Sequence, residues 1–311
     1  MLDHPNERSL HSHPTPRTGG IAIFSAIFLA SVLIVWEYSS LSKLFWLALS
    51  VILVVTVSFL DDRYRVEVMQ RLFIHLGAAS LLLIGGFILY NWQLPEVVWH
   101  WPIWIDVGLS LFFIVWMINL YNFMDGMDGF AAGMAVIGFG CFAVFGWLAG
   151  NILFFNLSLV IMAASAGFLI FNFPPARIFM GDVGSSLLGL LAAALSLWGA
   201  REGIFPFWAA LMVFSPFIVD ATATLIRRLF RGEKICQAHK THYYQRLVQL
   251  GWGHRKTVLW EYGLMVACAI SALWAVRQTV ITQWLILSLW VVLYSLLMLW
   301  IPRLEEKNRK Q

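Results

Sequence analysis

Apolar blocks dominate the chain. Ten windows of about 18 or more mostly apolar residues run at 19 to 36, 43 to 60, 72 to 90, 103 to 120, 129 to 149, 152 to 171, 183 to 200, 204 to 225, 258 to 276 and 280 to 301. Lipid admits helices or closed barrels, and runs of this length are helical. The pattern therefore predicts an all-α protein, a polytopic transmembrane helical bundle of about ten spans, forming one integral-membrane domain over residues 1–311. The longest polar interval, 227–257, is basic and His-containing. It is expected to be a cytoplasmic loop that includes a surface-lying helix.

The placement of Lys and Arg orients the bundle. With the N-terminus inside, all but three of the 21 basic residues fall on the inner side, the exceptions being Lys43, Arg201 and Arg277. The C-terminus is then cytoplasmic as well. Composition strengthens the picture: 60% of residues are hydrophobic, 12% are charged, and mean hydropathy is +0.76. The net charge of +4 follows from this inner bias and gives no reason to expect nucleic acid as a partner. Cys141 and Cys268 lie within apolar windows and Cys236 in an inner loop, so no disulfide framework is expected. The polar, Pro-containing opening lacks the basic, apolar, small-residue order of a signal peptide.

Acidic residues break the apolar pattern on one side only. Asp61 and Asp62 follow the second window, Asp125 and Asp128 separate the fourth and fifth, and Asp182 precedes the seventh. Asp3 lies on the same side, whereas the outer loops carry scattered Glu37, Glu96 and Glu202. Carboxylates this close raise each other's pKa unless a cation sits between them. Oxygen-only donors suit a hard ion, and Mg²⁺ is commonly held by one or two carboxylates with substrate phosphates completing its shell. In "DGMDG" and "FMGDVGSS", Gly126, Gly129, Gly181 and Gly184 remove side chains beside the acids. That lets backbone N–H groups approach an anion at a helix N-terminus. Taken singly, each motif reads as a turn, a cap or a solvated helix end. Their coincidence on one membrane face points to a phosphate and metal site.

Two histidines join this rim. "AHKTHYYQRL" places His239 and His242 three residues apart, on one face if the segment is helical, in surroundings suited to phosphate contact or proton transfer. Zinc is disfavoured because no Cys or third His follows at ligand spacing. His75, inside the third window, reads as a packed interhelical partner. Asp220, inside the eighth, is an ionisable group in a span whose role the sequence leaves open, with Arg227 as one available partner.

Five segments, "DHPNERSLHSHPTPRTGGIAI", "FLDDR", "NLYNFMDGMDG", "FNFPPARIFMGDVGSS" and "AHKTHYYQRL", resemble in order the motifs of the polyprenyl-phosphate N-acetylhexosamine-1-phosphate transferases. That family includes the enzyme making the first lipid intermediate of peptidoglycan and those initiating O-antigen and enterobacterial common antigen. The two separated histidines are most similar to the O-antigen-initiating branch. The resemblance implies transfer of a sugar 1-phosphate from a UDP-N-acetylhexosamine to undecaprenyl phosphate, releasing UMP, at the cytoplasmic face of a bacterial inner membrane. It implies Mg²⁺, with Mn²⁺ as a substitute, held by Asp182 together with Asp61 and Asp62, one of that pair being the base or nucleophile. It places Asn122, Asp125 and Asp128 on the nucleotide side, Gly126 and Met127 near uracil, and Phe179 stacked on it. Asn172 falls at another polar position of that pocket, and His239 and His242 near the diphosphate. Homodimers occur in the family. Its members usually carry a further apolar span ahead of "PNERS", whereas this sequence opens directly on that segment: either the start is misplaced or the protein runs with ten helices.

Two rival classes make different demands. An ion-coupled transporter needs ionisable groups near mid-bilayer and interrupted helices, and only Asp220 and His75 come close. A CDP-alcohol phosphatidyltransferase needs a longer acidic motif that the sequence lacks, and it would release CMP instead of UMP.

Overall fold

A computed structural model of the chain describes residues 2–3, 15–37, 41–64, 66–90, 92–233 and 239–309. Short antiparallel strands β1 (Leu2–Asp3) and β2 (Thr15–Pro16) precede α1 (Gly19–Glu37), α2 (Leu41–Tyr64) and α3 (Val68–Ile84). A hairpin of β3 (Trp92–Leu94) and β4 (Val97–Trp99) leads into α4 (Ile103–Phe123), α5 (Phe130–Leu148), α6 (Ile152–Asn172) and α7 (Gly181–Arg201). The chain continues through α8 (Phe207–Val213), α9 (Ser215–Phe230), α10 (Tyr243–Leu247), a π-helical turn (Val248–Trp252), α11 (Gly253–Ala275) and α12 (Val280–Arg309). Of the residues named above, Cys236 lies outside the described residues, as does most of the opening motif.

The most enclosed helix is built largely of small residues. α7 is rich in Gly, Ala and Ser and is almost wholly buried. Small residues let neighbouring backbones close in: an atom added at Gly189 would lie 2.5 Å from the Met117 carbonyl of α4. α1, α2 and α4 pack around α7, while α5 pairs with α6. An aromatic cluster of Phe142, Phe154, Phe205 and Phe214 fills the space beyond α7. Other large apolar residues face outward, among them Phe28, Leu33, Phe73, Trp104, Ile170 and, on α12, Ile281, Leu289 and Leu296. Such a bare apolar surface is the lipid face of a multi-span membrane protein.

The count of spans is lower than the expected ten. Among the described residues seven helices are long and apolar enough to cross a membrane, or eight if α8 and α9 form one span bent by 79°. The described apolar stretch of α1, Gly19–Ile34, and α3 fall short. With 17 residues, α3 extends about 25 Å at 1.5 Å per residue, less than a ~30 Å hydrocarbon core. The third window ran past its end because Phe87, Ile88 and Leu89 are buried although not helical. Gly86, at a φ of +85°, turns the chain there. The eighth window contains Pro216 in the first turn of α9, which sets the break after α8.

Two ends of the bundle result. One carries the β3/β4 hairpin, with Trp92 against Phe207, and the Lys43–Glu202 pair at 2.6 Å. The other collects the ends of α2, α4, α6 and α9 with the starts of α1, α3, α5, α7 and α11. The loop expected over 227–257 is shorter, since α9 continues to Phe230 and α11 starts at Gly253. Its helix α10 does not lie on the surface. Tyr244, Gln245 and Leu247 are buried.

Candidate active site

At this second end, three carboxylates meet around two guanidiniums. Arg17 donates from Nη2 to Asp182 Oδ1 at 2.5 Å, and its Nε lies 3.2 Å from Asp62 Oδ1. Arg71, in the first turn of α3, reaches both Asp61 Oδ2 and Asp182 Oδ2, the latter at 3.2 Å. Asp61 Oδ1 also accepts from Val66 N at 2.7 Å. Asp62 is the most enclosed: its two oxygens accept from the backbone N–H groups of Asp182 (3.2 Å) and Val183 (3.3 Å). A carboxylate there satisfies donors that the first turn of α7 leaves unpaired and complements the positive end of its dipole. Asp62 of α2 thus caps α7, the helix that presents Asp182.

A second set of contacts fixes the nucleotide-side residues of the sequence reading. Asn122 donates from Nδ2 to Ser185 Oγ at 3.1 Å, joining α4 to α7. Asn172 is buried and uses both ends of its amide. Its Oδ1 accepts from Gly129 N and its Nδ2 donates to the Ile178 carbonyl, each at 2.9 Å. It therefore ties the 124–129 loop to the 173–180 loop. Asp128 Oδ2 accepts from Ala176 N at 3.0 Å, and Asp128 Oδ1 lies 3.1 Å from His254 Nδ1. Gly129, at a φ of +74°, turns the loop into α5, and its carbonyl accepts from Tyr262 Oη at 2.7 Å. Met127 is buried, whereas Gly126 is exposed beside Tyr244 and Gln245. The backbone of Phe179 pairs with Pro16 and Gly19, and its ring is half-buried. Burial pushes the Asp125 carboxyl well above the usual carboxylate range; Arg17 opposes the rise, and the charges of Asp182, Asp62 and Asp128 add to it. All five aspartates of the sequence argument thus belong to one electrostatic neighbourhood.

The histidines are arranged differently from the sequence expectation. Helix α10 starts only at Tyr243, so His239 and His242 do not share a helical face. Their rings still lie 4.8 Å apart, because the turn before α10 folds them together. His242 is buried against Phe123 and is held by Asp220, with Nδ1 3.2 Å from Asp220 Oδ1. The same carboxylate accepts from the backbone N–H groups of Tyr243 and Tyr244, both at 3.0 Å, and from Thr224 Oγ1 at 3.1 Å. Asp220 is therefore the anchor of α10. It does not pair with Arg227, which donates to the Thr241 carbonyl. His75 is buried near Asn119, as a packed partner.

Arg17, Arg71 and His254 were missed as site residues by sequence reasoning, which counted the arginines only as orientation charges. Their signal was available. Three converging carboxylates need cations, and both arginines sit in the polar breaks beside them. The same observation tests the fit of a divalent ion. Among the described residues, no three His, Cys, Asp or Glu side chains are grouped to hold a metal as they stand. Guanidiniums lie between the carboxylates instead. The donor chemistry of Asp61, Asp62 and Asp182, three hard oxygen ligands from two helices, nevertheless fits Mg²⁺ or Mn²⁺.

Comparison with known proteins supplies the family. Residues 44–200 match the description "Glycosyl transferase family 4". A probable undecaprenyl-phosphate N-acetylglucosaminyl 1-phosphate transferase of Bacillus subtilis (strain 168) is 33% identical over 275 residues, covering 88% of this chain and 76% of the relative. A decaprenyl-phosphate N-acetylglucosaminephosphotransferase of Mycobacterium tuberculosis (strain ATCC 25618 / H37Rv) is 32% identical over 302 residues, covering 83% and 72%. A phospho-N-acetylmuramoyl-pentapeptide-transferase of Geobacillus thermodenitrificans (strain NG80-2) is 30% identical over 275 residues, covering 81% and 82%. With its acids, loops and helix ends assembled at one end of a membrane bundle, and with relatives of this identity and coverage, the chain belongs to glycosyl transferase family 4.

Proposed function

We propose that the protein transfers an N-acetylhexosamine 1-phosphate from a UDP-sugar to undecaprenyl phosphate and releases UMP. The observation that carries this reading is the convergence of Asp61, Asp62 and Asp182 on Arg17 and Arg71, beside Asp125 and Asp128. Phosphoryl transfer demands chiefly positioning and charge neutralisation, which such a cluster supplies. Two of the three relatives are named for undecaprenyl or decaprenyl phosphate and for N-acetylglucosamine, which favours a polyprenyl phosphate as acceptor and UDP-N-acetylglucosamine as donor. We assign the reaction to the cytoplasmic face of the inner membrane, as the first membrane step of O-antigen or a related surface polysaccharide.

The acceptor phosphate oxygen attacks the phosphorus bonded to the sugar. A P–O bond forms there, the bond to the UMP oxygen breaks, and UMP leaves. Asp61, whose carboxylate is not tied to the backbone of α7, takes the acceptor's proton, while Asp62 holds α7 in place. Asp182 with the acidic pair would hold Mg²⁺, which when bound supplies positive charge to the diphosphate oxygens. Asp125, Asp128, Asn122 and Gly126 border the nucleotide, with Phe179 as the stacking ring, and His239 and His242 close the diphosphate side. The test is UMP release from membranes containing the full chain, supplied with undecaprenyl phosphate, Mg²⁺ and a panel of UDP-N-acetylhexosamines. Release with one donor supports the reading, and no release with any donor by folded protein refutes it.

A further inference from the structure

Arg71 is engaged by the acid cluster through a single nitrogen. Its Nη1 serves both Asp61 and Asp182, while Nε is buried without a hydrogen-bond partner among the described residues. A guanidinium carries five donors in a planar fork, and its bidentate complement is a carboxylate or a phosphate. The nearby carboxylates are already committed, Asp61 to Val66 N and Arg71, Asp182 to Arg17 and Arg71. The Nε edge, unpartnered among the described residues, therefore suits an anion that arrives from outside the cluster.

The position of Arg71 indicates which anion. It points inward from the first turn of α3, on the helix face shared with His75, Ala78 and Leu82, all buried. The opposite face of that turn carries Met69 and Phe73, exposed by 56% and 67%, and Tyr64 at the end of α2 is equally bare. One helix end thus separates Arg71 from the bilayer. Arg17 differs in both respects: it is bound through two nitrogens to two acids, and it is fixed beside the start of the deeply buried α7.

We propose that Arg71 receives the phosphate of the lipid acceptor as it enters from the bilayer. Nε and the guanidinium edge beside it hold two phosphate oxygens and bring the attacking oxygen next to Asp61. The inference rests on the transferase reading, and it names a substrate-binding residue for it. Asp61 and Asp182, were they to hold Mg²⁺, would no longer need Arg71 for neutralisation, and its guanidinium would be left to the acceptor phosphate.

The test uses the full chain in nanodiscs, with farnesyl phosphate and farnesol as probes of binding and with undecaprenyl phosphate and UDP-sugar for kinetics. The wild type is expected to bind farnesyl phosphate at least tenfold tighter than farnesol, and Arg71→Ala to lose that preference. Arg71→Lys keeps a charge for Asp61 and Asp182 but lacks the fork, and it is the deciding variant if the alanine protein does not fold. It should raise KM for undecaprenyl phosphate at least fivefold while KM for the UDP-sugar stays within twofold. A phosphate preference that survives Arg71→Ala overturns the proposal, as does a lysine variant with unchanged acceptor KM or with both KM values raised alike. If the wild type releases no UMP yet shows an Arg71-dependent preference for the phosphate, the transferase reading fails and the phosphate site stands.

Discussion

Replacing Asp220 by alanine should release the segment that carries His242. In the structure this carboxylate accepts four hydrogen bonds, from Tyr243 N, Tyr244 N, Thr224 Oγ1 and His242 Nδ1, at 3.0 to 3.2 Å. A hydrogen bond to a charged group contributes about 1.5–3 kcal/mol, and the four share one acceptor, so their contributions do not simply add. Removing the carboxylate leaves two backbone N–H groups at the start of α10 without a partner, and Tyr244 is fully buried. A local loss of about 3–4 kcal/mol is expected, close to that for breaking a buried pair. Since every 1.4 kcal/mol is tenfold, the amides of Tyr243 and Tyr244 should exchange with solvent roughly 100 times faster or more. Asp220→Asn keeps one oxygen acceptor without the charge and should fall between, at roughly tenfold. Hydrogen exchange read by mass spectrometry on peptides covering 241–247 measures this directly, with peptides from α7 as the internal reference. Exchange within twofold of wild type in Asp220→Ala would refute the anchoring role and reopen Asp220 as a group acting on substrate.

Asp182→Asn is expected to abolish turnover, measured as UMP release, because it removes charge at the point where Arg17 and Arg71 converge; normal activity would exclude Asp182 from the site. Chelation by EDTA should stop the reaction, and Mg²⁺ or Mn²⁺ should restore it, so activity that persists in EDTA after dialysis contradicts a divalent requirement. Gly20→Ala should destabilise the protein by about 1–3 kcal/mol or more, since the added carbon would lie 2.6 Å from Gly184 Cα, where backbone cannot yield. An unfolding temperature in detergent equal to that of wild type would show that α1 and α7 can part there.

Much of the architecture was legible because lipid enforces it. A run of about 20 apolar residues has one stable form in a bilayer, so nearly every window coincides with a helix. Windows erred where an apolar run served another purpose. Phe87 to Leu89 are buried as irregular chain, and the window holding Pro216 covers two helices. The aspartates were legible from their one-sided placement, a pattern that needs no knowledge of contacts. Pairing was not. No local sequence signal says that Asp62 caps a helix 120 residues away, or that Asn172 spends both polar atoms joining two loops. The relation between His239 and His242 was also hidden, because a helical face was assumed where Asp220 enforces a turn.

The contact between α1 and α7 has a further consequence. Gly19 and Gly20 donate to the carbonyls of Phe179 and Met180, at 3.0 and 2.7 Å, and the two backbones touch at Gly20 and Gly184. Arg17 and Asp182 are thereby mounted on a common chassis whose parts cannot slide independently. Changes that alter the donor preference of the proposed transferase should therefore leave this contact untouched.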